Sequence, residues 1–142
     1  MLSTVAVGTD GSATASKALE AAVEIAQRFD AKLFVLSAFQ GADDRPRGAD
    51  TRSVELQWEY DNDARVREML SRTEHELRER KVDCSTLVDE GDPAEVLVRL
   101  AEECGADLLV IGNRGMQRRV LGSVPNTVTH TATCSVYVVK TT

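Results

Sequence analysis

One glycine-rich stretch late in the chain has the residue types that a phosphate-binding loop requires. Residues 112–124 read GNRGMQRRVLGSV, with three glycines, three arginines, a Gly-Ser pair and no carboxylate. Glycines let backbone N–H groups approach an anion closely, and a helix that opens at Gly122 and Ser123 would add further N–H groups, its positive end and a hydroxyl. Arginines would add charge-assisted contacts. The stretch favours phosphate binding, and the alternative is that its glycines only make a turn and cap a helix.

A second polar turn, GTDGS at residues 8–12, follows the apolar run STVAVGT at 3–9. Asp10 lies at the tip of this predicted strand, where its short carboxylate would accept from a ribose hydroxyl or would cap the following helix. The chain contains no Walker A loop, and the GxGxxG dinucleotide fingerprint is absent after the first strand. Both roles of Asp10 stay open at this point.

The charge of the chain is unevenly distributed. The net charge is −6, but residues 108–142 contain four basic and no acidic residues and carry +4, so residues 1–107 carry −10. An acidic surface disfavours a nucleic-acid partner, because the phosphate backbone requires a basic face. A small anion, in contrast, would be drawn to the glycine-rich stretch.

Short β-branched runs alternate with helical patterns, which is typical of βα units on a parallel sheet. The patterns predict strands at 3–9, 31–39, 83–91, 106–113 and 134–140, and helices at 12–29, 53–81, 92–104 and 122–133. We therefore expect one domain over residues 1–142, with an α/β fold of the flavodoxin-like or Rossmann-like type. Its doubly wound five-stranded parallel sheet would have helices on both faces. If strands one and four are neighbours, the two glycine-bearing turns meet at the switch point, where such sheets bind ligands.

Other features narrow the class of protein. The three cysteines match neither a disulfide framework nor a zinc site, so we predict that they are buried small hydrophobes and that there is no metal site. The N-terminus has no basic region before an apolar segment, and no apolar run is long enough to cross a membrane. We expect a cytoplasmic protein without a membrane or nucleic-acid partner.

The whole chain resembles the universal stress protein family. The resemblance rests on VAVGTDGS at 5–12, ADLLVIGNRG at 106–115 followed by LGSV at 121–124, and CSVYVVK at 134–140. The family's nucleotide motif, GxxG, nine residues and then G[ST], marks its ATP-binding branch. The resemblance implies a stress-response regulator that binds ATP, with Mg²⁺ carried on the phosphates. It also implies a homodimer joined through the final strand at Val136, Tyr137, Val138 and Val139.

The resemblance also assigns site residues. It places Asp10 at the ribose, with Gly8 and Thr9 near the adenine, and Ala38 in the adenine pocket. It assigns the phosphate-binding backbone and hydroxyl, together with two adjacent positions, to Gly112, Gly115, Gly122, Ser123, Val124, Ile111 and Arg114. No catalytic residue is assigned.

One departure from the family motif bears on the ligand. Only six residues, MQRRVL, separate Gly115 from Gly122, where the motif has nine. The loss of three residues removes nearly a helical turn from the loop and shortens its reach around a triphosphate. AMP, ADP and cyclic AMP are therefore alternative ligands, and family members with similar GSVPN tails include binders of cyclic AMP.

Three functions follow from the sequence. The first is a dimeric regulator that binds an adenine nucleotide, ATP before the others. The second is an enzyme, which would at most hydrolyse ATP slowly, since Asp10 is the carboxylate that the fold would bring to the glycines. The third is a dimeric interaction module whose shortened loop binds no nucleotide.

Overall fold

The elements of the chain alternate between strand and helix, as the sequence patterns predict. A computed structural model describes residues 2–40, 54–113 and 121–140, with the backbone alone for residues 54–62. In chain order the elements are β1 Thr4–Gly8, α1 Ala13–Phe29, β2 Lys32–Phe39, α2 Val54–Glu79, β3 Cys84–Glu90, α3 Pro93–Glu103, β4 Leu108–Asn113, α4 Ser123–Thr131 and β5 Ser135–Lys140. Each lies within the range that the sequence predicts.

The five strands form one parallel sheet in the order β3-β2-β1-β4-β5. The central strand is β1, in which Val5 pairs with Leu33 of β2 and with Leu108 of β4. The chain builds outward from β1 to β3 on one side and then crosses to β4 and β5 on the other. The predicted doubly wound fold is confirmed, and β1 and β4 are the neighbours between which the strand order reverses.

Both faces of the sheet are covered by helices. Val5 and Val7 pack with residues of α1 and α2, whereas Ala6 packs on the opposite face with residues of α3 and α4. All three side chains are fully buried. This explains why the central strands read as continuous apolar runs rather than as alternating ones.

The helices α1 and α3 begin at caps that the sequence marks. The Ser12 hydroxyl accepts from the Ala15 N–H at 3.2 Å, and the Asp92 carboxylate accepts from the Glu95 N–H at 3.2 Å. Pro93 occupies the start of α3, where a missing N–H costs nothing. These side chains satisfy backbone donors that would otherwise have no partner in the helix.

The cysteines only partly follow the prediction. Cys84 is buried in the core, as expected, but Cys104 and Cys134 are half-buried. All three are free thiols, and burial raises the pKa of each one. Within the described ranges, no helix is long and apolar enough to cross a membrane.

Candidate functional site

A cleft of about 410 Å³ lies where the carboxyl ends of the inner strands meet the starts of the helices. This is within the usual volume range of a small-molecule site. Every predicted site residue in the described part of the chain lines it: Gly8, Thr9, Asp10, Ala38, Ile111, Gly112, Gly122, Ser123 and Val124. Arg114 and Gly115, also predicted, lie outside the described residues.

A tight turn presents Asp10 at the edge of the cleft. Its Oδ1 accepts from the Ser12 N–H at 2.9 Å, and the Thr9 Oγ1 accepts from the Gly11 N–H at 3.1 Å. Gly11 has φ +80°, a backbone conformation that suits glycine. Because Ser12 is the N-cap of α1, Asp10 does not cap the helix, and its carboxylate orders the turn in front of it.

The end of β2 contributes a buried polar residue that the sequence reasoning missed. Ser37 is buried, and its Oγ donates to the Thr9 carbonyl at 2.7 Å. The Thr9 N–H in turn donates to the Leu36 carbonyl at 2.9 Å. These two bonds attach the segment that follows β1 to the neighbouring strand. A single serine inside the apolar run FVLSAF was the available signal.

Apolar side chains from the helices complete the cleft, and these were also missed. Pro93 and Leu97 come from α3, and Pro125 comes from α4. They line the cleft together with Ala38 and Ile111. An aromatic base would find apolar surface here.

Two glycines in the cleft are closely packed. A Cβ added at Gly8 would lie 2.9 Å from the Leu97 Cδ1, and one at Gly112 would lie 2.8 Å from the Thr14 Cγ2 and 3.0 Å from the Thr14 carbonyl oxygen. Gly112 lies inside β4, paired with Val139, as the predicted strand at 106–113 requires, and the turn suggested for the glycines can begin only after it. Close approach of α1 is therefore enough to explain Gly112, whereas at Gly8 the end of the Leu97 side chain could move aside.

The start of α4 differs from those of α1 and α3. Gly122 is the N-cap in an extended conformation, and no side chain forms a capping hydrogen bond there. The Gly122 N–H donates to the Oδ1 of Asn113 at 2.9 Å. The assignment of Gly122 to the phosphate-binding backbone stays a prediction.

Four N–H positions at a helix start lack a partner within the helix. In α4 the first is held by Asn113 and the last belongs to Pro125, which has no N–H. Within the described residues, the N–H groups of Ser123 and Val124 remain without a partner, and the Ser123 hydroxyl and the positive end of the helix lie beside them. Both residues line the cleft, so this helix start can bind a small anion.

No cluster of three or more His, Cys, Asp or Glu side chains that would hold a metal ion occurs among the residues described. Asp10 is the one carboxylate among the described residues that line the cleft. A single carboxylate facing an uncapped helix start is suited to binding a ligand that has both a hydroxyl and an anionic group.

The fold and this cleft define a doubly wound α/β domain with a ligand site at the switch point. The sequence pattern described as "Universal stress protein family" matches residues 1–140, and the chain belongs to that family. The resemblance to the family seen in the sequence is confirmed, and its ATP-binding branch stays a prediction.

Relatives support this assignment over nearly the full length. The universal stress protein Rv1636 of Mycobacterium tuberculosis strain H37Rv is 39% identical over 147 residues, which cover 98% of this chain and 97% of the relative. A solved universal stress protein in complex with cAMP is 30% identical, covers 99% of this chain and 98% of its own, and has a TM-score of 0.75. An Arabidopsis thaliana family protein with AMP bound is 23% identical with a TM-score of 0.74, covers 99% and 92% of the two chains, and shows the shared fold.

Proposed function

We propose that the protein binds an adenine nucleotide in the cleft between β1 and β4 and acts in the stress response as a dimeric regulator. The observation that carries the proposal is the start of α4, where two N–H groups and a hydroxyl border the cleft without a capping side chain. The cAMP complex of a relative that is 30% identical supports the choice of nucleotide class.

The lining residues divide into three groups that match the parts of a nucleotide. The phosphate would lie at the N–H groups of Ser123 and Val124 and the Ser123 hydroxyl. The ribose would donate a hydroxyl to Asp10, whose turn is fixed by Ser12. The adenine would lie against the apolar surface near Ala38 and Ile111.

The described donors are enough for one phosphate group, which favours AMP or cyclic AMP. ATP, with Mg²⁺ carried on its phosphates, is the ligand that the sequence motif predicts, and it is the second ligand to test. We propose binding without an appreciable reaction, because Asp10 is the one carboxylate among the described residues that line the cleft and is assigned to the ribose, so ATP hydrolysis would be slow at most.

Isothermal titration with AMP, cyclic AMP, ADP and ATP plus Mg²⁺ tests the proposal, with GMP as the base control. We expect an adenine nucleotide to bind and GMP to bind more weakly. Replacement of Ser123 by Ala should weaken AMP binding about tenfold, since it removes a hydrogen bond to a charged group.

The control variant is Thr129→Ala, which removes a hydroxyl from the same helix. The Thr129 Oγ1 donates to the Asn126 carbonyl at 2.9 Å, one turn beyond the helix start, so AMP affinity should not change. Absence of binding by all four adenine nucleotides would refute the proposal and favour an interaction module without a ligand.

The dimer part of the proposal rests on β5. This strand pairs with β4 on one side and lies at the edge of the sheet. Tyr137 is 44% exposed, while Val136, Val138 and Val139 are half-buried. An apolar edge strand of this kind is an aggregation risk unless a second chain covers it.

Sedimentation velocity tests the dimer. The wild-type protein should sediment as a dimer and Tyr137→Lys as a monomer, because a charge on an exposed position opposes pairing without disturbing the core. A wild-type monomer at all concentrations would refute this part. The single domain over residues 1–142 and the cytoplasmic location remain predictions from the sequence.

A further inference from the structure

Two polar side chains are buried in the core of the described residues, Ser37 and Asn113, and both bond to segments that line the cleft. Ser37 holds the carbonyl of Thr9, beside Asp10. Asn113, the last residue of β4, is 1% exposed and accepts from the Gly122 N–H. Burial of a polar amide is unfavourable unless it forms hydrogen bonds, so each residue needs an explanation.

The contact of Asn113 joins the end of β4 to the N-cap of α4, nine positions later in the chain. Gly122 supplies no side chain of its own to define where the helix begins. Asn113, which lies outside the helix, defines this position instead. Its Oδ1 accepts from the Gly122 N–H, and the Gly122 carbonyl accepts the first helical hydrogen bond, from the Asn126 N–H at 3.0 Å.

This contact also determines which donors are presented to the cleft. The Gly122 N–H is engaged and Pro125 has none, so within the described residues the donors left at the helix start are those of Ser123 and Val124. Their position relative to Asp10 depends on a helix start held against the end of β4. Loss of the Asn113 acceptor would leave the Gly122 N–H without that partner and loosen the first turn.

We propose that Asn113 is a positioning residue for the phosphate part of the site: its buried amide holds the start of α4 so that the Ser123 and Val124 N–H groups face the ligand. The inference rests on the proposed nucleotide function and deepens it. It predicts that Asn113 acts on the phosphate alone, whereas Ser37 acts on the side of the cleft near the nucleoside.

The test compares AMP with adenosine, which lacks the phosphate. Titration of the wild-type protein should show AMP binding at least about tenfold more tightly than adenosine, as expected for a charged group with several donors. In Asn113→Leu, which keeps the side-chain volume but has no acceptor, this ratio should fall to within about twofold of unity while adenosine affinity is retained.

The matched control is Ser37→Ala, the other buried polar residue. Loss of its bond to Thr9 should weaken adenosine and AMP by the same factor, so the ratio stays at the wild-type value. Asn113→Ser is a second variant in case the leucine variant does not fold, because a serine hydroxyl is too short to reach Gly122. It should lower the ratio in the same way.

A measurement without ligand accompanies the titrations. In the wild-type protein the Gly122 amide should exchange slowly with solvent, and in either Asn113 variant it should exchange at least about tenfold faster while core amides of β1 are unchanged. An unchanged AMP-to-adenosine ratio in a folded Asn113 variant, or equal loss of both ligands, would overturn the inference alone. Failure of the wild-type protein to bind either ligand would overturn the proposed function and the inference with it.

Discussion

The starts of α3 and α4 border the same cleft, but they differ in how their N-terminal backbone N–H groups are capped. At α3 the Asp92 carboxylate accepts from the Glu95 N–H, and Glu95 itself is an acidic residue in the first turn. At α4 the cap is a glycine, which has no capping side chain, the Asn113 Oδ1 accepts from the Gly122 N–H, and the first turn has no acidic residue. The positive end of α3 has acidic partners within the chain, whereas α4 has no acidic residue at its cap or in its first turn.

A third location shows the same solution as α3. At the amino end of the sheet, Asp107 accepts from the Ser3 N–H at 2.9 Å and from the Thr4 N–H at 3.0 Å. These bonds hold the pKa of Asp107 below its usual value. Of the three helix starts that the structure describes in full, those of α1 and α3 have a capping side chain, and that of α4, which borders the cleft, does not.

The largest effect is expected when α4 is made like α3. Gly122→Asp would place a carboxylate at the N-cap, where it would compete for the Ser123 and Val124 donors and repel a phosphate. Two like charges about 4 Å apart near a protein surface repel by about 4 kcal/mol, so AMP affinity should fall at least about 100-fold. The conformation of Gly122, with φ −63°, is open to other residues.

The same variant should be slightly more stable without ligand, by about 0.5 kcal/mol, since aspartate is a better cap than glycine. Titration measures the first effect and urea denaturation the second. Gly122→Ala is the control for steric exclusion, since it adds a Cβ without a charge. Equal losses of AMP affinity in the Ala and Asp variants would show that the comparison of charges is mistaken.

A smaller effect is expected when α3 is made like α4. Asp92→Ala removes the capping carboxylate, and the free energy of unfolding should fall by about 1 kcal/mol. AMP affinity should stay within about twofold of the wild-type value, because Asp92 satisfies its own helix and no ligand depends on it. Asp92→Asn should restore most of the stability. A loss of AMP affinity as large as that of Ser123→Ala would mean that both helix starts bind the ligand.

The smallest effect is the change with pH in the stability that Asp107 contributes at the amino end of the sheet. The folded-state pKa of Asp107 is depressed by the Ser3 and Thr4 N–H groups, so its contribution to stability is present above the unfolded pKa of about 4 and is lost as the pH falls through the folded value. Wild type should therefore be more stable than Asp107→Ala near neutral pH, and the difference should shrink below pH of about 4. Urea denaturation across this pH range measures it, and a difference independent of pH would contradict the assignment.

Local patterns were enough to predict the elements and the place of the cleft. The β-branched runs and the caps at Ser12 and Asp92 are signals within a few residues of each other, and the switch point follows from their order. The individual roles of the glycines could not be predicted in this way. A side chain at Gly112 would collide with Thr14, and the Gly122 N–H donates to Asn113. Both contacts depend on the tertiary fold, so the spacing of residues in the sequence does not reveal them.

The same limit explains why Ser37 and Leu97 were missed. Ser37 acts on Thr9, 28 residues away, and Leu97 reaches the cleft from a helix that packs against Gly8. Arg114 and Gly115 lie outside the described residues. The effect of the six-residue spacing between Gly115 and Gly122 on the choice of ligand therefore stays a prediction from the sequence.

The strand order of the sheet determines when the cleft can form during folding. The lining residues of the cleft come from distant parts of the chain, β1 and β2 near the beginning and α3, β4 and α4 later. A bond between residues 103 positions apart, from the Thr4 N–H to Asp107 just before β4, helps to hold these parts together. During synthesis the lining residues of β1 and β2 are made well before those of β4 and α4. We therefore expect the cleft to form late in folding. A ligand that requires both parts of the lining stabilises the completed fold and not its precursors. A nucleotide bound in this cleft would therefore indicate that the chain has completed its fold.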